Sequence, residues 1–156
     1  MARLAAALRA YERIGLDTSV FIYHIEGSSP QAVPAATALD ELNVGAFEGV
    51  TSVITLMELI VKPLQMNRPD VADSYEALLV TYPNLNLVRL DRTTARRAAE
   101  LRATYRLRPA DALQVAACVQ AGARAFLTND KALRRVGDDV AVLLLDDFLA
   151  EDSGQR

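Results

Sequence analysis

The sequence predicts an α/β fold, a parallel sheet with helices on both of its faces. Short, continuous apolar runs of the kind that form strands buried on both sides alternate at least four times with longer stretches of helical periodicity. No two of these runs are joined by a hairpin dipeptide such as Asn-Gly, so each strand must return to the sheet through a crossover helix. The 156 residues, 51% of them hydrophobic, read as one domain (1–156) that buries roughly 70% of the surface its unfolded chain exposes.

Residues 1–12 read as an amphipathic helical lead-in, free to pack on a sheet edge or on a dimer partner. Arg3, Arg9, Glu12 and Arg13 interrupt its apolar residues, and no small-residue cleavage pattern follows, which excludes a signal peptide. The run Arg13-Ile14-Gly15-Leu16 is then a buried strand that stops at Asp17, with Thr18 or Ser19 capping a helix to about Glu26. After the loop Gly27 to Pro30, a helix from about Gln31 to Val44 presents Ala35, Leu39, Leu42 and Ala46 on one face, and Gly45 ends it. Gly49 to Ser52 is a short strand. Thr51 or Ser52 opens a helix through Val61 that is apolar nearly all round, and is expected to be buried, with Glu58 its odd residue and Pro63 its kink or end. Pro69 starts the next helix, about Asp70 to Thr81, with Val71, Tyr75, Leu78 and Leu79 on its apolar side.

Tyr82-Pro83-Asn84 turns into a strand from Leu85 to Leu90, and Asp91 or Thr93 caps a helix rich in alanine and arginine to about Arg106. Arg108-Pro109-Ala110-Asp111 begins another apolar helix, in which Asp111 is the exception and Gly122 the stop. A strand over 124–127 ends in Thr128-Asn129-Asp130. A helix over Lys131 to Val136, a strand over Val140 to Leu145 and a last helical turn over Asp146 to Ala150 complete the order, and 151–156 is a polar, frayed tail.

Composition removes several chemistries. No apolar run approaches the ~18 residues of a membrane helix. Cys118, the only cysteine, reads as a structural thiol in a reducing cytoplasm, and His24, the only histidine, as a packing or surface residue. A Cys/His zinc site and a histidine-based nucleophilic pair lack their parts, so any catalysis falls to carboxylates. The net charge of −3 argues on average against a nucleic-acid binder, yet seven arginines between Arg89 and Arg108 face only Asp91 and Glu100. On a helical wheel Arg92, Arg96, Arg102 and Arg106 share about a third of the circumference, a stripe that suits either solvent or phosphates. Lys131, Arg134 and Arg135 form a second basic cluster.

Four acids stand out. Asp17 and Asp130 end buried strands, on one side of the sheet if both strands are parallel, and Glu58 and Asp111 interrupt apolar helices. Singly, each has an ordinary explanation: a turn residue, a snorkelling side chain, an acid stabilised by a helix N-terminus. Together they are better explained by one shared site, since burying a lone carboxylate costs several kcal/mol. Two carboxylates ~4 Å apart repel by about 4 kcal/mol at an effective dielectric near 20, and an oxygen-only cluster of this kind suits Mg²⁺ or Mn²⁺. Such a site serves metal-assisted phosphodiester hydrolysis with water as the attacker.

The segments Gly-Leu-Asp17-Thr-Ser, Thr-Ser-Val-Ile-Thr-Leu-Met-Glu58-Leu, Arg-Pro-Ala-Asp111-Ala-Leu-Gln-Val-Ala-Ala and Phe-Leu-Thr128-Asn129-Asp130 occur in the order seen in PIN-domain ribonucleases. The chain resembles in particular the VapC-type toxins of bacterial toxin–antitoxin pairs, over about Ile14 to Phe148. The resemblance implies a three-layer α/β/α fold with a five-stranded parallel sheet, and Mg²⁺- or Mn²⁺-dependent endonucleolytic cleavage of RNA. It implies that Asp17, Glu58 and Asp111 hold the metal, that Asp130 completes the shell or orients water, and that Thr128 supplies a hydroxyl nearby. It also implies a homodimer and an antitoxin whose C-terminal segment occludes the site. Arg92, Arg96, Arg102, Arg106, Lys131 and Arg134 are the candidates for meeting RNA phosphates. The competing readings are a housekeeping RNA-processing nuclease and a non-catalytic interaction module. A phosphatase using Asp17 as nucleophile would want a second Asp where Ser19 stands.

Overall fold

A computed structural model gives the fold of residues 1–151; residues 152–156, nearly all of the expected frayed tail, lie outside the described residues. Five strands, β1 (Arg13–Leu16), β2 (Glu48–Ser52), β3 (Leu85–Val88), β4 (Ala125–Thr128) and β5 (Ala141–Leu144), form one parallel sheet in the order β3-β2-β1-β4-β5. β1 is central, with Ile14 opposite both Gly49 of β2 and Ala125 of β4, and Leu16 opposite Leu127. Its residues Ile14 to Leu16 are buried, as a strand covered on both faces requires.

Two cores lie against the sheet. The first gathers α1 (Ala2–Arg9), α2 (Thr18–Glu26) and α3 (Ala32–Asn43) with Leu59 of α4 (Val53–Gln65) and Leu79 of α5 (Pro69–Thr81). The second joins α6 (Arg92–Tyr105), α7 (Pro109–Gln120) and a 3-10 helix over Lys131–Val136. The result is the three-layer α/β/α architecture. The lead-in belongs to the first core: Leu4 and Leu8 of α1 are fully buried, and Arg9 pairs with Glu41 of α3 at 2.7 Å. α7 seats on β1 where Gly15 leaves room, since a Cβ there would lie 2.7 Å from Cys118 Cβ and 2.7 Å from Phe126 Cδ2.

Several local expectations are corrected. The cap of α2 is Asp17 itself, whose extended backbone brings its carboxylate onto Thr18 N, so Thr18 and Ser19 are already helical. Ser52, not Thr51, caps α4 by accepting from Ile54 N. Pro63 does not end α4, which continues to Gln65. α4 is not buried all round: Met57, Val61 and Leu64, three positions of one helical stripe, are about half exposed, while the opposite face carries Ile54, Thr55, Leu59 and Pro63 inward. β3 stops at Val88, and Asp91 caps α6 in a reciprocal box with Thr94. The segment over 131–136 is 3-10, not α, and a second 3-10 helix spans Leu145–Glu151.

Candidate active site

In this strand order the direction of winding reverses between β1 and β4, and the crevice beyond the carboxyl ends of strands at such a point is where open α/β sheets place ligands. Asp17 follows the last residue of β1, and Thr128 ends β4 beside it. The sheet ladder continues past Leu16, as Asp17 N donates to Leu127 O at 2.9 Å. The side chains then lock together. Thr128 Oγ1 donates to Asp17 Oδ2 at 2.6 Å, Asp130 N donates to Thr128 Oγ1 at 3.0 Å, and Thr18 N donates to Asp17 Oδ1 at 2.9 Å.

Glu58 reaches this crevice from α4. It lies on the exposed side of that helix, so the expectation of a carboxylate enclosed by apolar residues does not hold for it. Its Oε1 accepts from Thr18 Oγ1 at 2.8 Å. Asp111 arrives in the first turn of α7, which Pro109 starts, and its side chain is only 20% exposed. Arg108 bridges it to Asp130, with Nε 3.0 Å from Asp111 Oδ2 and Nη2 3.3 Å from Asp130 Oδ2, while Asp130 Oδ1 accepts from Ala132 N.

The charges report on one another. Burial raises the Asp17 carboxyl to about 6, the hydrogen bonds from Thr128 and Thr18 oppose that rise, and the negative charges of Asp111 and Glu58 add to it. The Arg108 guanidinium is held further into its charged form by its bond to Asp111 and by the charges of Asp111, Asp130 and Glu58. All four acids therefore share one field. Among the described residues, however, no three acidic, histidine or cysteine side chains form a group that could hold a metal ion as they stand. Arg108 engages Asp111 and Asp130, and threonine hydroxyls engage Asp17 and Glu58. By donor chemistry the set fits a hard divalent cation, since it offers only carboxylate and hydroxyl oxygens and carries an unrelieved repulsion at Asp17.

The basic residues divide. At the start of α6, Thr94 Oγ1 donates to Gln120 Oε1 at the far end of α7, so α6 and α7 run antiparallel. Arg92 and Arg96 consequently lie at the end away from Asp111, while Arg102 and Arg106, roughly 20 Å along from Arg92 at the helical rise, lie at its own end. Lys131 directly follows Asp130, and Arg134 is paired with Asp147 at 2.7 Å. His24 is on the surface, and Cys118 is buried, with burial pushing its thiol up and Sγ donating to Val50 O.

Sequence reasoning passed over Gln114, Thr51, Ser52 and Thr55, which are buried directly beneath these acids. Gln114 carried a signal: it is the one polar residue in the apolar run after Asp111, three residues on and hence on the same helical face. Beside Glu58, a groove of about 260 Å³ between α2, α4 and α5 is lined by apolar side chains that include Ile22, Ile25, Leu59, Val71 and Tyr75.

Fold and site together define a three-layer α/β domain with a carboxylate centre at the switch point of its sheet. The sequence profile of the PIN domain matches residues 14–139. The chain belongs to the PIN domain family. Among solved structures it is similar to a chain of the VapBC2 complex from Rickettsia felis bound to a DNA fragment from its promoter, with a TM-score of 0.67 and 16% identity over 85% of this chain and 98% of that one. It is also similar to a chain of a toxin–antitoxin complex from Klebsiella pneumoniae, with a TM-score of 0.63 and 19% identity over 85% and 97% of the two chains. A chain of FitAcB from Neisseria gonorrhoeae gives a TM-score of 0.63 and 20% identity over 85% and 97%. At these identities the likeness is one of fold. Curated proteins compared by sequence give no match.

Proposed function

We propose that the protein is a metal-dependent endoribonuclease acting as the toxin of a toxin–antitoxin pair. The observation that carries this reading is the gathering of Asp17, Glu58, Asp111 and Asp130 at the switch point of a PIN domain, where the charges of Asp111 and Glu58 act on Asp17 and those of Asp111, Asp130 and Glu58 act on Arg108. Asp17, Glu58, Asp111 and Asp130 would hold Mg²⁺ or Mn²⁺, and Thr128 orients Asp17 among them. The ion would supply Lewis-acid chemistry, meaning charge for the phosphate and a more acidic attacking water. The chain's own residues do the rest. Thr18 and Thr128 fix two of the carboxylates, and Arg108 stands between Asp111 and Asp130. Arg102 and Arg106 at the Asp111 end of α6, with Lys131 next to Asp130 in the chain, would add charge of the sign that RNA phosphates require.

The toxin role rests on two further observations. Solved structures of similar fold include a chain of a toxin–antitoxin complex and one of the VapBC2 complex. The apolar groove beside Glu58 is a surface on which an antitoxin segment would bury an apolar face and occlude the acids. The reading includes a homodimer, and a cytoplasmic setting in keeping with the single buried thiol; among the described residues no helix is long and apolar enough to cross a membrane.

The test is cleavage of a mixed RNA pool by the full chain with Mn²⁺ or Mg²⁺, then with EDTA. Products that require the metal and vanish with EDTA and in Asp111→Asn are expected. An absence of metal-dependent products from a folded wild-type protein would leave an interaction module as the better description.

A further inference from the structure

Seven polar residues are buried among the described residues: Thr18, Thr51, Ser52, Thr55, Thr94, Gln114 and Thr128. Only Thr94 lies away from the site, in the cap of α6. Thr128 holds Asp17, and the other five form one connected hydrogen-bond network between α7, α4, β2 and the start of α2. Apolar residues of similar size would join these elements without any desolvation cost, so the concentration of hydroxyls and an amide under two carboxylates points beyond packing.

The network has a direction. Ser52 Oγ accepts from Ile54 N and donates to Gln114 Oε1, which orients the amide so that its NH₂ faces the threonines. Gln114 Nε2 donates to Thr55 Oγ1 at 2.6 Å and lies 3.5 Å from Thr51 Oγ1. Thr51 commits its own proton to Leu16 O at 2.9 Å, and Thr18 commits its proton to Glu58 Oε1 at 2.8 Å. Thr55 therefore donates, to Thr18 at 3.0 Å or Thr51 at 2.7 Å, and never receives from either when it does so. When Thr55 donates to Thr18 the donors run one way, from the Gln114 amide through Thr55 and Thr18 to the Glu58 carboxylate; when it donates to Thr51 the run ends at Leu16 O. Bonds aligned in this manner polarise one another, and the last donor is strengthened toward an anion. The same Thr18 gives its backbone N–H to Asp17, so the chain that fixes Glu58 also fixes the separation of the two acids.

We propose that Gln114 is a positioning residue of the acidic site: through Thr55 and Thr18 it sets Glu58 against Asp17 in the arrangement that binds a hard divalent cation. The inference rests on the nuclease reading and adds to it a residue that touches neither metal nor RNA.

The test compares Gln114→Met, which keeps size and loses the amide, with Thr55→Val and Thr55→Ser, of which only the second keeps the hydroxyl. Binding of Mn²⁺ alone to the full chain is measured by electron paramagnetic resonance, beside kcat, KM for RNA and Tm. Gln114→Met and Thr55→Val are expected to weaken Mn²⁺ binding about 10-fold or more, the range for outer-shell partners of metal ligands, and to lower kcat while KM stays within about twofold. Thr55→Ser restores both. The double variant is no weaker than the worse single one, because both break the same chain. Unchanged Mn²⁺ affinity in Gln114→Met, or a Thr55→Ser no better than Thr55→Val, overturns the inference and leaves Gln114 a structural staple, with the nuclease reading intact. A wild-type protein that binds Mn²⁺ in a Gln114-dependent way yet cleaves no RNA removes the nuclease reading and keeps the positioning role. A wild-type protein that binds no Mn²⁺ removes both. Should Gln114→Met fail to fold, the Thr55 pair decides alone.

Discussion

Replacing Asp17 by Asn should make the metal-free protein more stable at neutral pH and less different from wild type in acid. Burial, opposed only in part by Thr128 and Thr18, raises the carboxyl from 3.8 to about 6. A folded-state pKa above the unfolded one means that the folded protein takes up the proton first as pH falls. Wild type is thus favoured below the unfolded value and penalised as pH rises through about 6. The full penalty is about 3 kcal/mol at pH 7.5, and most of it is gone by pH 4. Asn carries no charge to desolvate, though it alters the bond to Thr128 by an amount that does not depend on pH. The stability difference between variant and wild type should therefore fall by about 2 kcal/mol from pH 7.5 to pH 4, whatever that constant is. Urea denaturation in EDTA at the two pH values measures it. Mg²⁺ at a hundred times its Kd should stabilise wild type by about 2.7 kcal/mol and so nearly cancel the variant's advantage at neutral pH. A difference that stays flat across pH would refute the account of Asp17 as a desolvated, repelled carboxylate.

Three other outcomes follow from the geometry. Arg108→Ala should tighten Mn²⁺ binding severalfold, because it frees Asp111 and Asp130, and raise KM for RNA; weaker Mn²⁺ binding in a resonance titration would show that the guanidinium organises the acids and does not compete for them. Neutralising Arg102 and Arg106 together should raise KM and flatten its dependence on salt, whereas Arg92 and Arg96 together should change neither, since they lie at the other end of α6; equal effects would mean that RNA runs the length of the helix. Gly15→Ala should cost about 1–3 kcal/mol in denaturant unfolding, from the clash with Cys118 and Phe126; a neutral result would show that α7 can lift off β1 cheaply.

The parallel architecture was legible because periodicity and the lack of hairpin signals report directly on crossovers, and the elements fall within a few residues of their expected ends. Asp17, Asp130 and Thr128 were legible as strand-end residues. Glu58 was found for a reason the structure does not support. An apolar wheel implied burial on all sides, but α4 leaves Met57, Val61 and Leu64 to solvent, and Glu58 stands with them. Periodicity measures how apolar a face is and carries no information on whether anything covers it. The hidden network was illegible for a different cause. Thr51, Ser52 and Thr55 follow a strand and open a helix, the positions where hydroxyls are ordinarily caps, and only Ser52 serves as one.

Thr18 shows how much of this site is settled by a single residue. Its backbone N–H satisfies Asp17 because an acid at the N-cap of α2 needs that donor, and its side chain, buried one position later, points across to α4 and meets Glu58. Two carboxylates from distant parts of the chain are thereby referred to one rigid first turn of a helix. A shared donor of this sort brings like charges together without joining them; burial is the main cause of the raised carboxyl of Asp17, and the charges of Asp111 and Glu58 add to it. On the other side Arg108 does the same for Asp111 and Asp130, but with an exposed, mobile cation in place of a buried hydroxyl. The site thus has a fixed half and a releasable half. In the nuclease reading Asp17 and Glu58 would hold a divalent ion from positions already fixed, and Asp111 and Asp130 would join them on leaving Arg108. The entropic cost of assembling ligands then falls on the two side chains whose present partner is screened by water and easily given up.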